Sequence, residues 1–545
     1  MDDEHVAEGL PAPEGASDII ETDYEIGQDN VQPFGLDIHN PVFLISGLTV
    51  VAFVILTLAF QTQVGPVFTA LRNFLTSSFD WFFIIAGNVF VLVCLGLMLS
   101  PLGKVRIGGA EATPDYSYTG WFAMLFAAGM GIGLMFFGVL EPVYYFGTPW
   151  GDQPLGRDIG IVDGVIADPA TLEAARRTAM AATIYHWGLH PWAMYAVVAL
   201  SLAIFAYNKG LPLTVRSMFY PIFGERVWGW TGHVIDILAV FATLFGLATS
   251  LGIGAQQANA GLSYVAGIEV STTAQVVLII GITALALISV LRGLDGGVKR
   301  LSEFNMVLAA LLLLFVIVVG PTLAILTGFF GNLGAYFSEI VALSNPVGRD
   351  DDGFRQGWTA FYWAWWISWS PFVGMFIARV SRGRTVREFI FCVLVIPTLV
   401  SVLWMTSFGG TAIQQLIDMA SDSAVYGYVI AAYTPELSLF GMLSELPLST
   451  ITSWLAIILV IAFFVTSSDS GSLVIDTITA GGKIDAPVSQ RIFWVTFEGL
   501  VAAALLIGGG LVALQAMAVS TGFPFAIVLL LGCWALIKGL MSEPR

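Results

Sequence analysis

Residues 361–372 read FYWAWWISWSPF, a denser run of tryptophan than any other part of the chain. With Trp358 just before it, this stretch holds five of the 16 tryptophans. On a helix, its larger rings share one face, within an arc of roughly 120°: Trp358, Tyr362, Trp365, Trp366, Trp369 and Phe372. Such a face attracts a bulky cation without N–H donors, because aromatic rings hold quaternary ammonium groups by cation–π attraction. The alternatives are a packing stripe and an interfacial aromatic belt.

A second stretch, GMGIG at residues 129–133, places three glycines inside a long apolar segment. Each glycine weakens a helix by about 1 kcal/mol relative to alanine. The pattern predicts either close helix packing through small residues or a helix that is broken within the membrane. A broken helix frees N–H groups for an anionic substrate group and carbonyls for a cation.

Two further stretches carry polar or aromatic chemistry. Residues 183–195 read TIYHWGLHPWAMY, and at helical pitch Trp187, Trp192 and Tyr195 share one side. Residues 464–472 read FVTSSDSGS at the end of an apolar run, where Thr466 and Ser467 supply hydroxyls. Hydroxyl and carbonyl oxygens suit small hard cations, although such hydroxyls also bond back to their own helix.

The elements that must position these residues are membrane-spanning helices. The chain has 545 residues, of which 57% are hydrophobic and only 11% charged, well below the share of about 25% charged residues in soluble domains. Because a span needs about 20 apolar residues, the sequence predicts an all-α membrane protein with twelve spans. They lie at about 41–60, 82–100, 120–148, 179–207, 231–255, 272–292, 304–328, 357–379, 387–410, 449–468, 491–509 and 513–537.

The ends and loops of the chain predict its orientation. Residues 1–40 hold eleven Asp or Glu and no Lys or Arg, a composition typical of a disordered acidic tail. With the amino terminus in the cytoplasm and twelve crossings, 16 of the 22 basic residues fall in inner loops. This bias predicts cytoplasmic termini in the cell's plasma (inner) membrane.

Taken together, the motifs GMGIGLMF, HWGLHPWAMY and WTAFYWAWWISWSPFVGMFIARVSRGRTVREF resemble those of the betaine/choline/carnitine transporter family. The similarity covers roughly residues 41–540. It implies twelve spans in which two inverted five-helix repeats, at about 117–328 and 357–537, form a fold like that of sodium-coupled amino-acid symporters. It also implies a homotrimer in the lipid bilayer, with a small molecule as substrate and no nucleic-acid partner.

The resemblance also implies site residues. The aromatic cage would be Trp187, Trp192, Tyr195 and Trp366, with Trp365 and Trp369 lining the pathway or a second cation-attracting site. The backbone around Met130, Gly131 and Gly133 would face the substrate carboxylate. One sodium ion would be held by the carbonyls of Ala127, Met130 and Phe463 and the hydroxyls of Thr466 and Ser467.

A second sodium site of the family would involve Thr243 and Phe372, but Leu247 stands where sodium-coupled members have a second threonine. That difference puts the second site, and a two-sodium stoichiometry, in question. Gly133 fits a zwitterion such as glycine betaine, since choline carriers of the family tend to have Asp there. The chain ends in KGLMSEPR, without the long basic tail of osmosensing members, so we do not expect regulation by such a tail.

The resulting functional prediction is a secondary active symporter that imports glycine betaine with sodium for osmoprotection. The alternatives are another compatible solute, such as ectoine, proline or dimethylsulfoniopropionate, or choline, with a proton as the coupling ion. A channel would not need a broken helix next to hydroxyls. An enzyme is not expected, because Asp236 and Asp469 are scattered and form no catalytic cluster. No cofactor is predicted other than the coupling sodium ion.

Overall fold

The chain folds almost entirely into helices in the computed structural model, which describes residues 19–129, 131–149, 159–293 and 299–544. The helices are α1 (Asn40–Ala59), α2 (Gln61–Leu99), α3 (Tyr118–Gly129), α4 (Ile132–Gly147), α5 (Pro169–Trp187), α6 (Leu189–Ala203), α7 (Tyr220–Phe223), α8 (Trp230–Ala266), α9 (Thr272–Gly293), α10 (Lys299–Val319), α11 (Thr322–Leu343), α12 (Asp352–Phe354), α13 (Ala360–Val380), α14 (Val386–Met419), α15 (Ser438–Ser444), α16 (Ser449–Thr479) and α17 (Val488–Met541). Two short antiparallel strand pairs join β1 (Asn30–Val31) to β2 (Ile38–His39) and β3 (Ile161–Val162) to β4 (Val165–Ile166).

Ten helices of the described residues are long and apolar enough to cross a membrane, and the bent pair α3–α4 raises that number to eleven. Helix α13 is not among them, because its tryptophans lower its mean hydropathy. Helix α17 is 54 residues long, more than twice what a bilayer core of about 30 Å requires. Non-helical angles at Gly509 and Gly510 divide it. The all-helical class is therefore confirmed, whereas the count of twelve spans and the inverted repeats remain predictions.

The third predicted span is broken, which is one of the two alternatives that the GMGIG stretch left open. Helix α3 ends at Gly129, α4 begins at Ile132, and the two helices are bent by 64°. Gly131 has extended backbone angles of φ −176° and ψ −175°, while Met130 lies outside the described residues. The first N–H groups of α4 have no partner within their own helix. The break therefore leaves backbone donors that face the interior of the protein.

The fourth predicted span is also interrupted, at Gly188 between α5 and α6. The Gly188 angles of φ −101° and ψ −132° are not helical, and the freed Leu189 N–H donates to the Tyr336 hydroxyl at 3.0 Å. Pro191 follows in the first turn of α6, where its missing N–H costs no helical hydrogen bond. Trp187 thus ends one helix, and Trp192 lies in the first turn of the next.

The seventh predicted span is shorter than expected. The sequence predicted a span over 304–328, whereas α10 ends at Val319 and α11 begins at Thr322. Pro321 lies between the two helices and lacks the N–H that would continue the first one. Helix α11 is therefore a separate element, and most of its apolar side chains are exposed on the surface of the single chain.

Residues 19–39 pack against the helices, although composition predicted disorder over residues 1–40. Tyr24 stacks on Trp228, with ring centroids 4.4 Å apart, and the pairing of β1 with β2 orders the backbone that leads into α1. An aromatic contact and a strand pair therefore hold part of this acidic segment. The first 18 residues lie outside the described part of the chain, so disorder there stays a prediction.

Helix packing brings the sequence motifs to one place in the interior. Helix α13 packs against α6, α8 and α17, and α14 packs against α3, α4 and α5. A capping box fixes the start of α14: the Glu388 N–H donates to Thr385 Oγ1 at 3.2 Å, and the Thr385 N–H donates to Glu388 Oε2 at 3.0 Å. The aromatic face of α13 thus lies beside α6 and close to the break of the third span.

Candidate functional site

An interior cavity lies where the break between α3 and α4 meets α5, α6, α8, α13 and α14. Its empty space is about 510 Å³. Its lining consists of Ala128, Gly129, Gly131, Ile132, Gly133, Leu134, Trp187, Pro191, Trp192, Tyr195, Ser250, Trp365, Trp366, Trp369 and Ser401. Of the nine residues predicted to bind substrate, eight are in this lining, and Met130 lies outside the described residues. None of the described lining residues is charged.

The aromatic rings form walls that stand at steep angles to one another. The Trp187 and Trp366 centroids are 4.9 Å apart with planes at 82°, and the Tyr195 and Trp366 centroids are 6.0 Å apart at 89°. Trp192 meets Tyr195 edge-on at 5.3 Å. Trp365 stacks almost parallel to Trp366 at 5.2 Å and extends the aromatic wall along α13. Perpendicular ring faces of this kind can surround one cationic group from several sides.

Hydrogen bonds outside the cavity hold the rings in these orientations. The Trp366 indole N–H donates to the backbone carbonyl of His186 at 2.9 Å, and the Trp365 N–H donates to the carbonyl of Gly246 at 3.3 Å. In contrast, the Tyr195 hydroxyl and the Trp369 indole nitrogen are buried without a hydrogen-bond partner among the described residues. These two donors are free to bond an oxygen atom of a bound solute.

Glycine at position 133 lets the aromatic rings approach the backbone. A Cβ atom there would lie 2.7 Å from Trp187 Cη2, closer than real Cβ contacts come, and 3.3 Å from Trp365 Cη2, which is a tight contact. A Cβ atom at Gly131 would meet nothing within 4 Å. Gly133 therefore serves ring packing, while Gly131 keeps the backbone at the break accessible from the cavity.

Glu141 on α4 organises the rings behind the cavity, and the sequence had suggested no role for it. This fully buried carboxylate accepts the Trp187 indole N–H at 2.8 Å and the Tyr362 hydroxyl at 2.7 Å. Its other oxygen lies 2.6 Å from His186 Nδ1, and His186 Nε2 bonds Thr359 Oγ1 at 2.9 Å. The signal in the sequence was a lone carboxylate in an apolar helix, since an ionisable group inside a span is by default functional.

The described residues predicted to hold sodium lie on two helices, and Met130 lies outside the described residues. Ala127 is close to the end of α3, while Phe463, Thr466 and Ser467 lie on α16, which packs against α4, the helix after the break. The Thr466 hydroxyl lies 3.1 Å from the Ala462 carbonyl, to which it can donate, and accepts from Asn305 Nδ2 at 3.1 Å. One acceptor lone pair of this oxygen remains for a cation. The donor set of carbonyls and hydroxyls fits a hard ion such as sodium.

The second predicted sodium site has fewer oxygen atoms. Thr243 is buried and donates its hydroxyl to the Ala239 carbonyl at 2.8 Å. Leu247, one turn later, packs its methyl groups against Gly471 of α16, so an aliphatic side chain fills this position. Phe372 contacts the Trp369 ring at a centroid distance of 5.3 Å.

Comparison with known proteins gives consistent matches along the chain. A family model described as betaine/carnitine/choline family transporter matches residues 41–545. A glycine betaine/proline/choline transporter of Vibrio parahaemolyticus is 64% identical over 98% of this chain and 97% of its own length. Glycine betaine transporter 1 of the same organism is 55% identical over 96% and 98%. The glycine betaine transporter OpuD of Bacillus subtilis is 44% identical over 87% and 89%.

These matches agree with the many apolar helices, and they make this chain a multi-pass membrane protein. The matched family and these relatives are transporters and not enzymes, which confirms the prediction that the chain is not an enzyme. The resemblance seen in the sequence motifs is confirmed as well: the chain belongs to the betaine/carnitine/choline transporter family.

Proposed function

We propose that this chain imports glycine betaine, a quaternary-ammonium compatible solute, by sodium symport and that it serves osmoprotection. The observation that carries the proposal is a cavity with aromatic walls in which no described lining residue is charged. Aromatic faces attract a trimethylammonium group that offers no N–H to a hydrogen-bond acceptor. Without a carboxylate in the wall, the site does not favour amines in general.

The carboxylate of glycine betaine would meet the other side of the cavity. The break between α3 and α4 exposes backbone N–H groups at the start of α4, which also carries the positive end of a helix dipole. The Tyr195 hydroxyl and the Trp369 indole N–H are further donors without partners among the described residues. A zwitterion would thus place its cation between the rings and its anion at the break.

The relatives support a compatible solute but differ in its identity. The names of two of them mention glycine betaine alone, and that of a third mentions proline and choline as well. A further Vibrio parahaemolyticus relative, 53% identical, is named for glycine betaine, proline, choline and ectoine. Because Gly133 leaves no negative charge beside the rings, we favour a zwitterion over choline.

Sodium is the proposed coupling ion because of the oxygen atoms on α16 and α3. The carbonyls of Ala127, Met130 and Phe463 and the hydroxyls of Thr466 and Ser467 would hold one ion. Where such a site joins the broken helix to α16, sodium binding favours one arrangement of the two helices and thereby couples to substrate binding. Leu247 argues against a second sodium at Thr243 and Phe372.

We further propose twelve spans, counting the bent pair α3–α4 and α13 as one span each and α17 as two, and leaving out α11, with inverted repeats at about 117–328 and 357–537. The transporter domain would cover residues 41–540, would form a homotrimer in the plasma membrane, and would keep both termini in the cytoplasm. The bias of basic residues toward the inner loops supports this orientation.

A panel of uptake measurements tests the proposed function. Cells or proteoliposomes containing the full chain receive labelled glycine betaine, choline, proline, ectoine or dimethylsulfoniopropionate, with a sodium, potassium or proton gradient alone. The proposal predicts the highest uptake for glycine betaine with the sodium gradient. Equal uptake with a proton gradient in sodium-free buffer would reject sodium symport, and preference for a solute without a quaternary ammonium would reject the role of the rings.

A further inference from the structure

Glu498 is a second fully buried carboxyl group inside the helices, and it does not line the aromatic cavity. It lies on α17 before the kink at Gly509. Its Oε2 accepts the Ser468 hydroxyl at 2.8 Å, and its Oε1 has no hydrogen-bond partner among the described residues. One neutral donor is therefore all that the described residues offer to this carboxyl group.

The nearby positive charge is committed to another carboxylate. Asp469 from α16 and Arg491 from α17 are the charged groups that face Glu498. Arg491 Nη2 lies 2.5 Å from Asp469 Oδ1, and the Ser289 hydroxyl from α9 donates to Asp469 Oδ2 at 2.6 Å. Two buried carboxyl groups thus share a single guanidinium, and that guanidinium is paired with Asp469.

The other helices packed against α17 do not supply the missing charge. Helix α1 has no titratable side chain, and α13 carries only Arg379, in its last turn. Helix α9 offers the hydroxyls of Ser289 and Thr283, and its one charged side chain, Arg292, is exposed in its last turn. Of the basic groups on α2 and α8, Arg72 donates to the Gly357 carbonyl, and His233 lies against His39 and Arg216. The acidic groups on the remaining neighbours have partners of their own: Asp476 with Gln490, Asp236 with Arg216, and Asp80 with Arg355.

We propose that Glu498 is a proton-binding site within the spans, whose carboxyl group carries a proton in this conformation and releases it with a loss of transport activity. An ionised carboxylate buried without a counter-charge costs far more than a protonated one. A metal ion is a poorer occupant, because hard cations need several oxygen ligands, and Ser468 is the only described group that bonds this carboxyl.

Glu141 differs from Glu498 in the number of its bonding partners. It is equally buried, but its two oxygens have Trp187, Tyr362 and His186 as bonding partners. Three partners of this kind stabilise a carboxylate. The structure therefore assigns the proton to Glu498, the buried carboxyl group with a single bonding partner among the described residues.

The position of Ser468 links this proton to helix α16. Ionisation of Glu498 would place a second negative charge beside Asp469, and α16 and α17 would have to separate or admit water. Since the protonated form is the one that packs, transport should be highest at low and neutral pH and should decline as the pH rises. One proton limits this decline to about tenfold per pH unit.

Infrared spectroscopy of the purified full chain tests the protonation state directly. We expect the C=O stretch of a protonated carboxylic acid at neutral pH in the wild type. This band should be lost in Glu498→Gln and retained in Glu141→Gln, the matched buried control. In Ser468→Ala the band should move toward that of an acid without a hydrogen bond. The contribution of Glu498 is read from the difference between the wild-type and variant spectra, because the buried carboxyl group of Asp476, bonded by the neutral Gln490, also absorbs in this region when protonated. A Glu498→Gln spectrum without any loss of acid intensity, or the same loss in Glu141→Gln, would overturn the proposal.

The pH profile of uptake tests the consequence for transport. Glu498→Gln mimics the protonated acid, so it should transport at neutral pH and should not show the decline of the wild type at alkaline pH. A Glu498→Gln profile identical to that of the wild type, or a correctly inserted but inactive Glu498→Gln, would contradict the inference. Sodium dependence is measured at each pH in both forms, because its absence would bear on the symport proposal and not on this proton site.

Discussion

Trp366 is the ring on which the proposed cation site depends most. It contacts Trp187, Tyr195 and Trp365, and its own indole N–H is anchored on the His186 carbonyl. It therefore presents its faces to the cavity while its polar edge is satisfied elsewhere. A ring held in this way loses little conformational freedom when a cation binds.

Replacement of Trp366 by leucine should weaken substrate affinity by roughly tenfold, because a desolvated cation–π contact contributes about 1–2 kcal/mol. Trp366→Phe should be milder, since it keeps a ring. Affinity is measured as the half-saturating concentration for betaine uptake. Trp494→Leu is the control: Trp494 is also buried and donates its N–H to Thr479 Oγ1 at 3.1 Å, but it does not line the cavity. Unchanged affinity in Trp366→Leu would mean that the ring only packs.

Glu141 should influence the same affinity without touching the substrate. Glu141→Gln removes the negative charge that accepts the Trp187 and Tyr362 donors, and it places an NH₂ group either at these two donors or at His186, so the Trp187 ring is held less firmly. Hydrogen bonds to charged groups contribute about 1.5–3 kcal/mol, which predicts a half-saturating concentration at least about tenfold higher.

The control for this prediction is Glu445→Gln. Glu445 lies in a loop, where it accepts from Ser423 Oγ at 2.9 Å and from the Ala424 N–H at 2.6 Å. Both variants should insert in normal amounts. Glu445→Gln should keep the betaine affinity of the wild type. If Glu141→Gln keeps that affinity as well, Glu141 has a purely structural role.

At the scale of elements, the break between α3 and α4 frees backbone N–H groups that a continuous helix would use in its own hydrogen bonds. It gives the cavity a set of backbone donors beside the aromatic rings, and it brings Gly133 so close to Trp187 that a side chain there would have to displace the ring. The substrate carboxylate and the ring faces would thus be recognised by adjacent residues of one span. Substitutions at Gly133 therefore affect both steric fit and charge.

Gly133→Asp should change the preference from glycine betaine toward choline. Its carboxylate would repel the betaine carboxylate in a site of low dielectric constant and would attract choline, so both effects change the ratio in the same direction. We expect a shift of about tenfold or more in competitive uptake. Gly133→Ala measures the steric effect without the charge. It should displace Trp187 and thereby weaken the affinity for betaine and for choline to the same extent. An Asp variant that keeps the betaine preference and normal uptake would show that the break does not face the substrate.

The sequence predicts the aromatic walls well, because ring type and helical period are local properties. Trp187, Trp192, Tyr195, Trp365 and Trp366 were all predicted for the site, and all line one cavity. The broken third span was likewise predictable, since glycine acts on its own backbone.

Other features depend on partners that are distant in sequence. Glu141 was missed because its partners come from α5 and α13 and meet only in the fold. The interruption at Gly188 depends on Tyr336 of α11, which accepts the freed Leu189 N–H. The order of residues 19–39 depends on Trp228. No periodicity or composition within each segment encodes these contacts.

At the scale of the whole molecule, two of the buried polar clusters among the described residues lie next to the proposed sites. One joins Glu141 and His186 to the aromatic cavity, and the other joins Glu498, Ser468, Asp469 and Arg491 between α16 and α17. The proposed sodium ligands Thr466 and Ser467 precede Ser468 on α16. Coupling between ion and solute would therefore depend on how α16 moves relative to the broken third span.

The most direct test of this account measures betaine accumulation in proteoliposomes driven by a sodium gradient alone, for the wild type and for the double variant Thr466→Ala with Ser467→Ala. The account predicts concentrative uptake in the wild type and a many-fold higher sodium requirement in the double variant, because two oxygen ligands are lost from the proposed site. Undiminished uptake by the wild type in sodium-free buffer, or an unchanged sodium requirement in the double variant, would contradict it.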